Sequence, residues 1–158
     1  MIQMNLRKAS FKDAKGIGLI LSKSYNISSA KEGASVFRGE LKKRHFFFVS
    51  VYGKQITGIV SFIVHGLPKH GLCELDRIAV LPEYRGHGVA HDIFPFGVQK
   101  MQSFYKSKKC RLRKLYLLTH KSNLRAQKFY KKLGFKKETI LKDHYYKGEP
   151  ELVMSRFY

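Results

Sequence analysis

Apolar and polar residues alternate from the start of the chain, with Ile2, Met4 and Leu6 set against Gln3, Asn5 and Arg7. A period of two buries one side of a strand, so residues 2–9 predict a half-buried strand. The period then lengthens. Ile17, Ile20, Leu21 and Ser24 fall on one helical face behind Ser10, a cap with Asp13 as its weaker capping-box partner, and predict a helix over 10–24. A second helix over about 28–44 is expected to be interrupted at Gly33 and Gly39. Residues 46–52 and 55–64, dense in Phe, Val and Ile and separated by Gly53-Lys54, read as a hairpin. A Gly/Pro turn over 66–71 leads to a strand over 72–81, stopped by Pro82.

The second half continues the alternation of element types. A helix is predicted from the Gly86/Gly88 turn to about 106, with Pro95 two turns in, where its missing N–H should kink or break the helix. A basic loop over 106–111 precedes the strand 114–119. Ser122 or Asn123 caps a helix to Leu133, which Gly134 stops. Strands over 135–141 and 152–157 follow, joined through Asp143-His144-Tyr145-Tyr146. The order β-α-α-β-β-β-α-β-α-β-β is an α/β, three-layer plan around a mixed sheet.

Length and composition narrow the field. At 158 residues with 44% hydrophobic content, the chain reads as a single domain over 1–158 with a buried core. No apolar run reaches membrane-spanning length, and the N-terminus does not have the pattern of a signal peptide. Cys73 and Cys110 lack metal-ligand spacing and read as free thiols in a reducing, cytoplasmic setting. Thirty-one Lys and Arg against eleven Asp and Glu give a net charge of +20. Such a surface favours acidic partners, whether nucleic acid, a ribosome, an anionic cofactor or an acidic peptide, unless it is simply a solvated basic face.

The densest chemistry lies at residues 75–90. Ile78, Ala79, Val80 and Leu81 form a strand that ends in a turn, and Arg85-Gly86-His87-Gly88-Val89-Ala90 opens a helix. A glycine-rich turn there leaves backbone N–H groups free at a helix N-terminus, which with Arg85 cradle a phosphate-bearing ligand. A side chain at 86 or 88 would hold such a ligand off the backbone. The dinucleotide fingerprint fails because position 91 is His91, and no P-loop signature occurs. Arg-x-x-Gly-x-Ala after an apolar strand resembles the acetyl-CoA signature of the GNAT N-acetyltransferases. A second segment, Asn123-Leu124-Arg125-Ala126-Gln127-Lys128-Phe129-Tyr130-Lys131-Lys132-Leu133-Gly134-Phe135, is similar to that family's N-x-x-A-x-x-F-Y-x-x-x-G-F. The two motifs stand in the family's order, and the resemblance covers roughly residues 72–158; the first 70 residues resemble it in element order only.

The resemblance implies the GNAT fold, a mixed, mostly antiparallel central sheet with helices on both faces, and acetyl-CoA as cofactor. It implies that the backbone of Ile78, Ala79 and Val80 pairs with the pantetheine amides and points an N–H at the thioester carbonyl, where it would stabilise an oxyanion. Arg85 through Ala90 would hold the pyrophosphate, and Asn123 the pantetheine arm or the preceding strand. Asn123 and Tyr130 are seven residues apart, two helical turns, and share a face. Tyr130 could protonate the leaving thiolate, since the reference pKa values of phenol and thiol, about 10 and 8.5, are close; the alternative for Phe129-Tyr130 is core filling. Glu74, four residues before Ile78, matches the position of a general-base glutamate in the histone-acetylating branch, with a water relay as the alternative base.

Other features carry less. His87 and His91 are four apart, but Gly88 stands where the zinc-helix glutamate would be and no third ligand is evident, so no metal is expected. Basic patches at 42–44, 106–114 and 128–137 could grip nucleic acid, or meet the cofactor's 3′-phosphate or an acidic partner. The segment 143–146 followed by Glu151-Leu152-Val153-Met154 resembles the C-terminal part of N-terminal and ribosomal-protein acetyltransferases, which implies that Tyr145 and Tyr146 border a peptide site. The expectation is an acetyl-CoA-dependent N-acetyltransferase acting on an amine, a protein N-terminus or lysine before a small amine, as monomer or homodimer. The competing reading is a non-catalytic basic nucleic-acid- or ribosome-binding module on the same scaffold.

Overall fold

The structure is a computed structural model describing residues 3–158, so Ile2 of the first expected strand lies outside the described residues. Among the described residues there are seven strands and four α-helices: β1 (Asn5–Lys8), α1 (Ala14–Ser24), α2 (Ala30–Lys42), β2 (Phe46–Tyr52), β3 (Gln55–His65), β4 (Leu72–Val80), α3 (Val89–Ser107), β5 (Lys114–His120), α4 (Leu124–Lys132), β6 (Lys136–Tyr146) and β7 (Glu149–Phe157). The sheet runs β1-β2-β3-β4-β5-β7-β6. Its β1/β2, β2/β3, β5/β7 and β6/β7 pairings are antiparallel and its β4/β5 pairing parallel. The chain forms two compact units, Met1–Ile63 with Arg77–Phe104, and Val64–Asp76 with Tyr105–Tyr158.

In the first unit, Ile17, Ile20 and Leu21 of α1 bury against Phe37, Phe47, Val49 and Ile59. Phe37 meets Phe47 edge-on with ring centroids 4.9 Å apart. Ahead of α1, Asp13 accepts from the Ser10 N–H at 2.8 Å, as the capping box requires, and holds both terminal nitrogens of Arg7 at 2.8 Å. Two glycines set the spacing of α1 and α2. A Cβ on Gly33 would lie 2.4 Å from the Gly18 carbonyl oxygen, and one on Gly18 2.3 Å from that of Ala30. The expected interruption at Gly33 and Gly39 does not occur, because Gly33 is where the two helix backbones touch. Helix α2 starts under Ser29, whose hydroxyl accepts from Glu32 N–H at 3.1 Å.

The expected break at Pro95 is also absent, and α3 is continuous through it. One lost bond and a ring clash cost about 3 kcal/mol. Val89, Ile93, Phe94, Val98 and Met101 on the same helix are buried, each stabilising by about 1.5–3 kcal/mol, so tertiary burial outweighs the defect. In the second unit, Leu115 and Leu117 of β5 and Leu152 and Met154 of β7 form the core with Tyr105 and Phe135. The Tyr105 hydroxyl donates to the Leu72 carbonyl at 2.9 Å. Strands β6 and β7 are longer than expected, reaching Tyr146 and starting at Glu149. The segment read as a tyrosine-rich loop is therefore mostly strand, interrupted by a register shift between Leu141 and Tyr146 and by Asp143 at φ 46°.

Candidate active site

The glycine turn belongs to the first unit. Arg85, Gly86, His87 and Gly88 are exposed between the end of β4 and α3, whereas Val89 is buried. Gly86 and Gly88 have φ of 81° and 80°, in the left-handed region, and a Cβ on either would meet nothing within 4 Å. Backbone shape thus demands glycine, and the space beside both stays open for a ligand. A third glycine, not singled out from sequence, seats the turn. Gly58 of β3 would place a Cβ 2.7 Å from Val89 Cγ1, so its lack of a side chain lets the start of α3 close on the sheet.

The last residues of β4 carry the backbone groups expected to face the cofactor. Leu81 N–H bonds the Thr57 carbonyl of β3 at 2.8 Å, so alternation turns the peptide groups of Val80 and Ile78 the other way. Side chains serve them there. Tyr25, at the end of α1, accepts from Ile78 N–H at 3.1 Å and donates to Ile78 C=O at 3.3 Å. Arg85 Nε donates to Val80 C=O at 3.1 Å. The Tyr25 ring is covered by the Arg77 guanidinium at 4.8 Å, whose Nε binds Glu40 at 2.9 Å. Ala79 is buried between these two positions.

The remaining candidates belong to the second unit. Glu74 is largely buried, and its Oε1 takes both His65 Nε2 at 2.8 Å and the Tyr116 hydroxyl at 3.2 Å. The Tyr116 hydroxyl is held neutral, its pKa raised by burial and then by the Glu74 charge. Asn123 caps α4, accepting from Ala126 N–H at 3.1 Å, which leaves its amide N–H₂ for other partners. Tyr130 is half-buried two turns on, its ring edge-on to Phe129 and Phe135 at 5.5 and 6.0 Å. Burial pushes its hydroxyl up to about 12, a wider gap from a thiol than reference values give. Gly134, at φ 90°, closes the helix, with Phe135 N–H on the Tyr130 carbonyl at 3.1 Å. Tyr145 and Tyr146 stand near the end of β6, 62% and 51% exposed.

A pairing that sequence reading misses lies beside them. His120 of β5 stands opposite Glu151 of β7 in the ladder, and its Nδ1 is 2.8 Å from Glu151 Oε2. The Glu151 side chain is 4% exposed and that of His120 42%. Nothing local marks either residue, since only the β5/β7 register brings them together. Cys73 is buried, its thiol pushed up to about 12 by burial and then by the Glu74 charge, and is chemically quiet.

Comparison with known proteins places this geometry. Residues 16–135 match the model of the acetyltransferase (GNAT) family. An N-alpha-acetyltransferase of Saccharolobus solfataricus is 37% identical over 79 residues, 50% of this chain and 44% of that protein, so the match spans under half of the relative's length. A spermine/spermidine N(1)-acetyltransferase of Bacillus subtilis is 27% identical over 136 residues, 81% of this chain and 85% of that one. Among solved structures, the ribosomal-protein-S18-alanine N-acetyltransferase of Escherichia coli superposes with a TM-score of 0.76 at 18% identity, covering 97% of this chain and 92% of that one. With the family model spanning most of the sequence, the strand–glycine turn–helix unit in place and the same fold in its structural neighbours, the chain belongs to the GNAT family of acetyltransferases.

Proposed function

We propose that this protein transfers an acetyl group from acetyl-CoA to the α-amino group of a protein or peptide by direct attack on the thioester. The observation that carries the cofactor reading is the exposed turn at Gly86 and Gly88, left-handed and open, at the N-terminus of α3. Backbone N–H groups of residues 86–90, including His87, Val89 and Ala90, suit the pyrophosphate, with Arg85 as counter-charge. On this reading the cofactor pairs with the peptide groups of Ile78 and Val80, beside which Tyr25 and Arg85 stand, and Asn123 steadies its arm. Bound acetyl-CoA would supply the thioester for attack by the amine; a β4 backbone N–H would stabilise the oxyanion and Tyr130 would donate to the departing sulfur.

Charge and chemistry favour a peptide over a polyamine. A net charge of +20 gives the surface a positive field that persists at physiological salt. A polyamine with several positive charges is repelled by that field, and an acidic peptide is attracted. An N-terminal amine also has a reference pKa of about 8 against about 10.4 for lysine, so it is more often neutral and needs less help from a base. Glu74, with Oε1 already engaged, is then a secondary proton acceptor, and Tyr145 and Tyr146 border the peptide. The polyamine reading rests on the Bacillus relative. We place the protein in the cytoplasm as a monomer or homodimer, in reach of acidic partners such as the ribosome; no described helix is long and apolar enough to cross a membrane.

The test is competition. Acetyl-CoA is supplied with an equimolar mixture of acidic and basic peptides and spermidine, and the products are located by mass spectrometry. Acetyl groups should appear on peptide N-termini, acidic sequences first, with an advantage that shrinks as salt rises. Acetylation confined to lysine side chains or to spermidine would reject the acceptor and leave the cofactor assignment standing.

A further inference from the structure

We infer that His120, oriented by buried Glu151, is the base that takes the proton from the attacking amine. The inference rests on the acetyl-transfer reading above and supplies the proton acceptor that the engaged carboxylate of Glu74 serves poorly. Glu151 is 3% exposed and its Oε2 lies 2.8 Å from His120 Nδ1. A carboxylate buried to that degree stays ionised only where it is paired and hydrogen-bonded. It fixes the imidazole as the Nδ1–H tautomer and leaves the lone pair on Nε2. The His120 side chain is 42% exposed, and Nδ1 is the nitrogen turned to the buried carboxylate.

Position supports the role. His120 ends β5, one short turn ahead of Asn123 and the helix that carries Tyr130. Gln127 of that helix donates from Nε2 to the His120 carbonyl at 3.3 Å and to the Lys121 carbonyl at 2.7 Å, fixing the strand end. On the other side the His120 ring lies 6.0 Å from that of Tyr146, one of the two acceptor-side tyrosines. The charged and titratable groups around it are Glu151 from β7, Tyr146 from β6, neighbouring Lys121, and Glu149, which accepts from the Ser122 hydroxyl at 2.9 Å. The reaction balances. Nitrogen bonds the thioester carbon and its proton passes to His120 Nε2, forming an imidazolium against Glu151. The C–S bond breaks, coenzyme A leaves as a thiolate hydrogen-bonded by the Tyr130 hydroxyl, and the imidazolium proton passes to it through solvent, giving the thiol and restoring His120.

Three variants test this with an acidic peptide as acceptor: His120→Gln, Glu151→Gln and Glu74→Gln. His120→Gln should lose at least about 100-fold in kcat at pH 7, keep its affinity for acetyl-CoA by calorimetry, and lose the acidic limb of kcat/KM; added imidazole should restore part of the rate. Glu151→Gln should lose a comparable factor, because an amide donates to Nδ1 and turns the ring to the Nε2–H tautomer. Nitrogen-15 NMR of the side-chain imidazole reads that reversal directly, without reference to activity. An acidic limb that survives in His120→Gln but vanishes in Glu74→Gln would assign the base to Glu74 and overturn the inference. So would an Nε2–H tautomer in the unmodified protein. Unmodified protein that binds acetyl-CoA but acetylates no amine would reject the functional reading itself.

Discussion

Replacing Tyr130 with phenylalanine removes a single hydroxyl from a half-buried ring that stays packed on Phe129 and Phe135. The hydroxyl is pushed up to about 12 by burial, and a thiol has a reference pKa of about 8.5. The mismatch of roughly 3.5 units makes complete transfer from Tyr130 to a free thiolate unfavourable by about 5 kcal/mol. On the proposed mechanism its contribution in the transition state is therefore a hydrogen bond to sulfur as charge develops. Such a bond to a charged group is worth about 1.5–3 kcal/mol, or roughly 10–150-fold in kcat. Because the pKa is raised, the protonated, donating form persists through neutral and mildly alkaline pH and is lost only as pH approaches 12. The expected result is a Tyr130→Phe enzyme slower by that factor at every pH from 6 to 10, with calorimetric affinity for acetyl-CoA unchanged. An alkaline limb in kcat near pH 9 that the variant lacks would show that Tyr130 titrates beside its partner and would refute this reasoning. An unchanged kcat would return the residue to the core.

Gly88→Glu should abolish acetyl-CoA binding in calorimetry while far-UV circular dichroism stays native, since a carboxylate would face the pyrophosphate from a left-handed position (φ 80°) that disfavours side chains. Gly18→Ala should destabilise by about 3 kcal/mol or more, lowering the melting temperature by roughly 6–12 °C, because its Cβ would meet the Ala30 carbonyl oxygen at 2.3 Å. Asp13, held below the usual carboxylate range first by Arg7 and despite burial, adds stability present above its unfolded pKa of about 3.9 and lost as pH falls through the lower folded value. Chemical denaturation between pH 6 and 2 should therefore show a flatter acid decline in Asp13→Asn.

What the sequence discloses about this molecule is what lies close together along the chain. The strand, turn and helix around Arg85–Ala90 are legible because strand, glycines and helix start are contiguous, and the period-two and helical patterns locate the other elements among the described residues. Gly33 misleads because propensity weighs glycine as a helix breaker, whereas here its missing side chain is the contact surface with Gly18. Pro95 misleads similarly, through burial of its neighbours. Tyr145 and Tyr146 read as loop because Asp143 and the register shift interrupt β6, yet the strand resumes at them. His120–Glu151 and His65–Glu74–Tyr116 depend on strand register and on side chains meeting across the sheet, which no local pattern encodes. Tyr25 and Ile78 are 53 residues apart, and their bond follows only from the packed fold.

That bond has a bearing on solubility. Strand β4 pairs with β5 over Leu72–Glu74, and bare peptide groups at Ile78 and Val80 would be of the kind that recruit a stray strand from another molecule. Tyr25 and Arg85 occupy those groups in their place. On the proposed reading a phenol and a guanidinium give way to the cofactor, as a neighbouring strand cannot, so the same groups are shielded from self-association and kept available for use. Removal of the Tyr25 hydroxyl should therefore show first in storage, as light scattering that grows in ligand-free protein and is suppressed by coenzyme A.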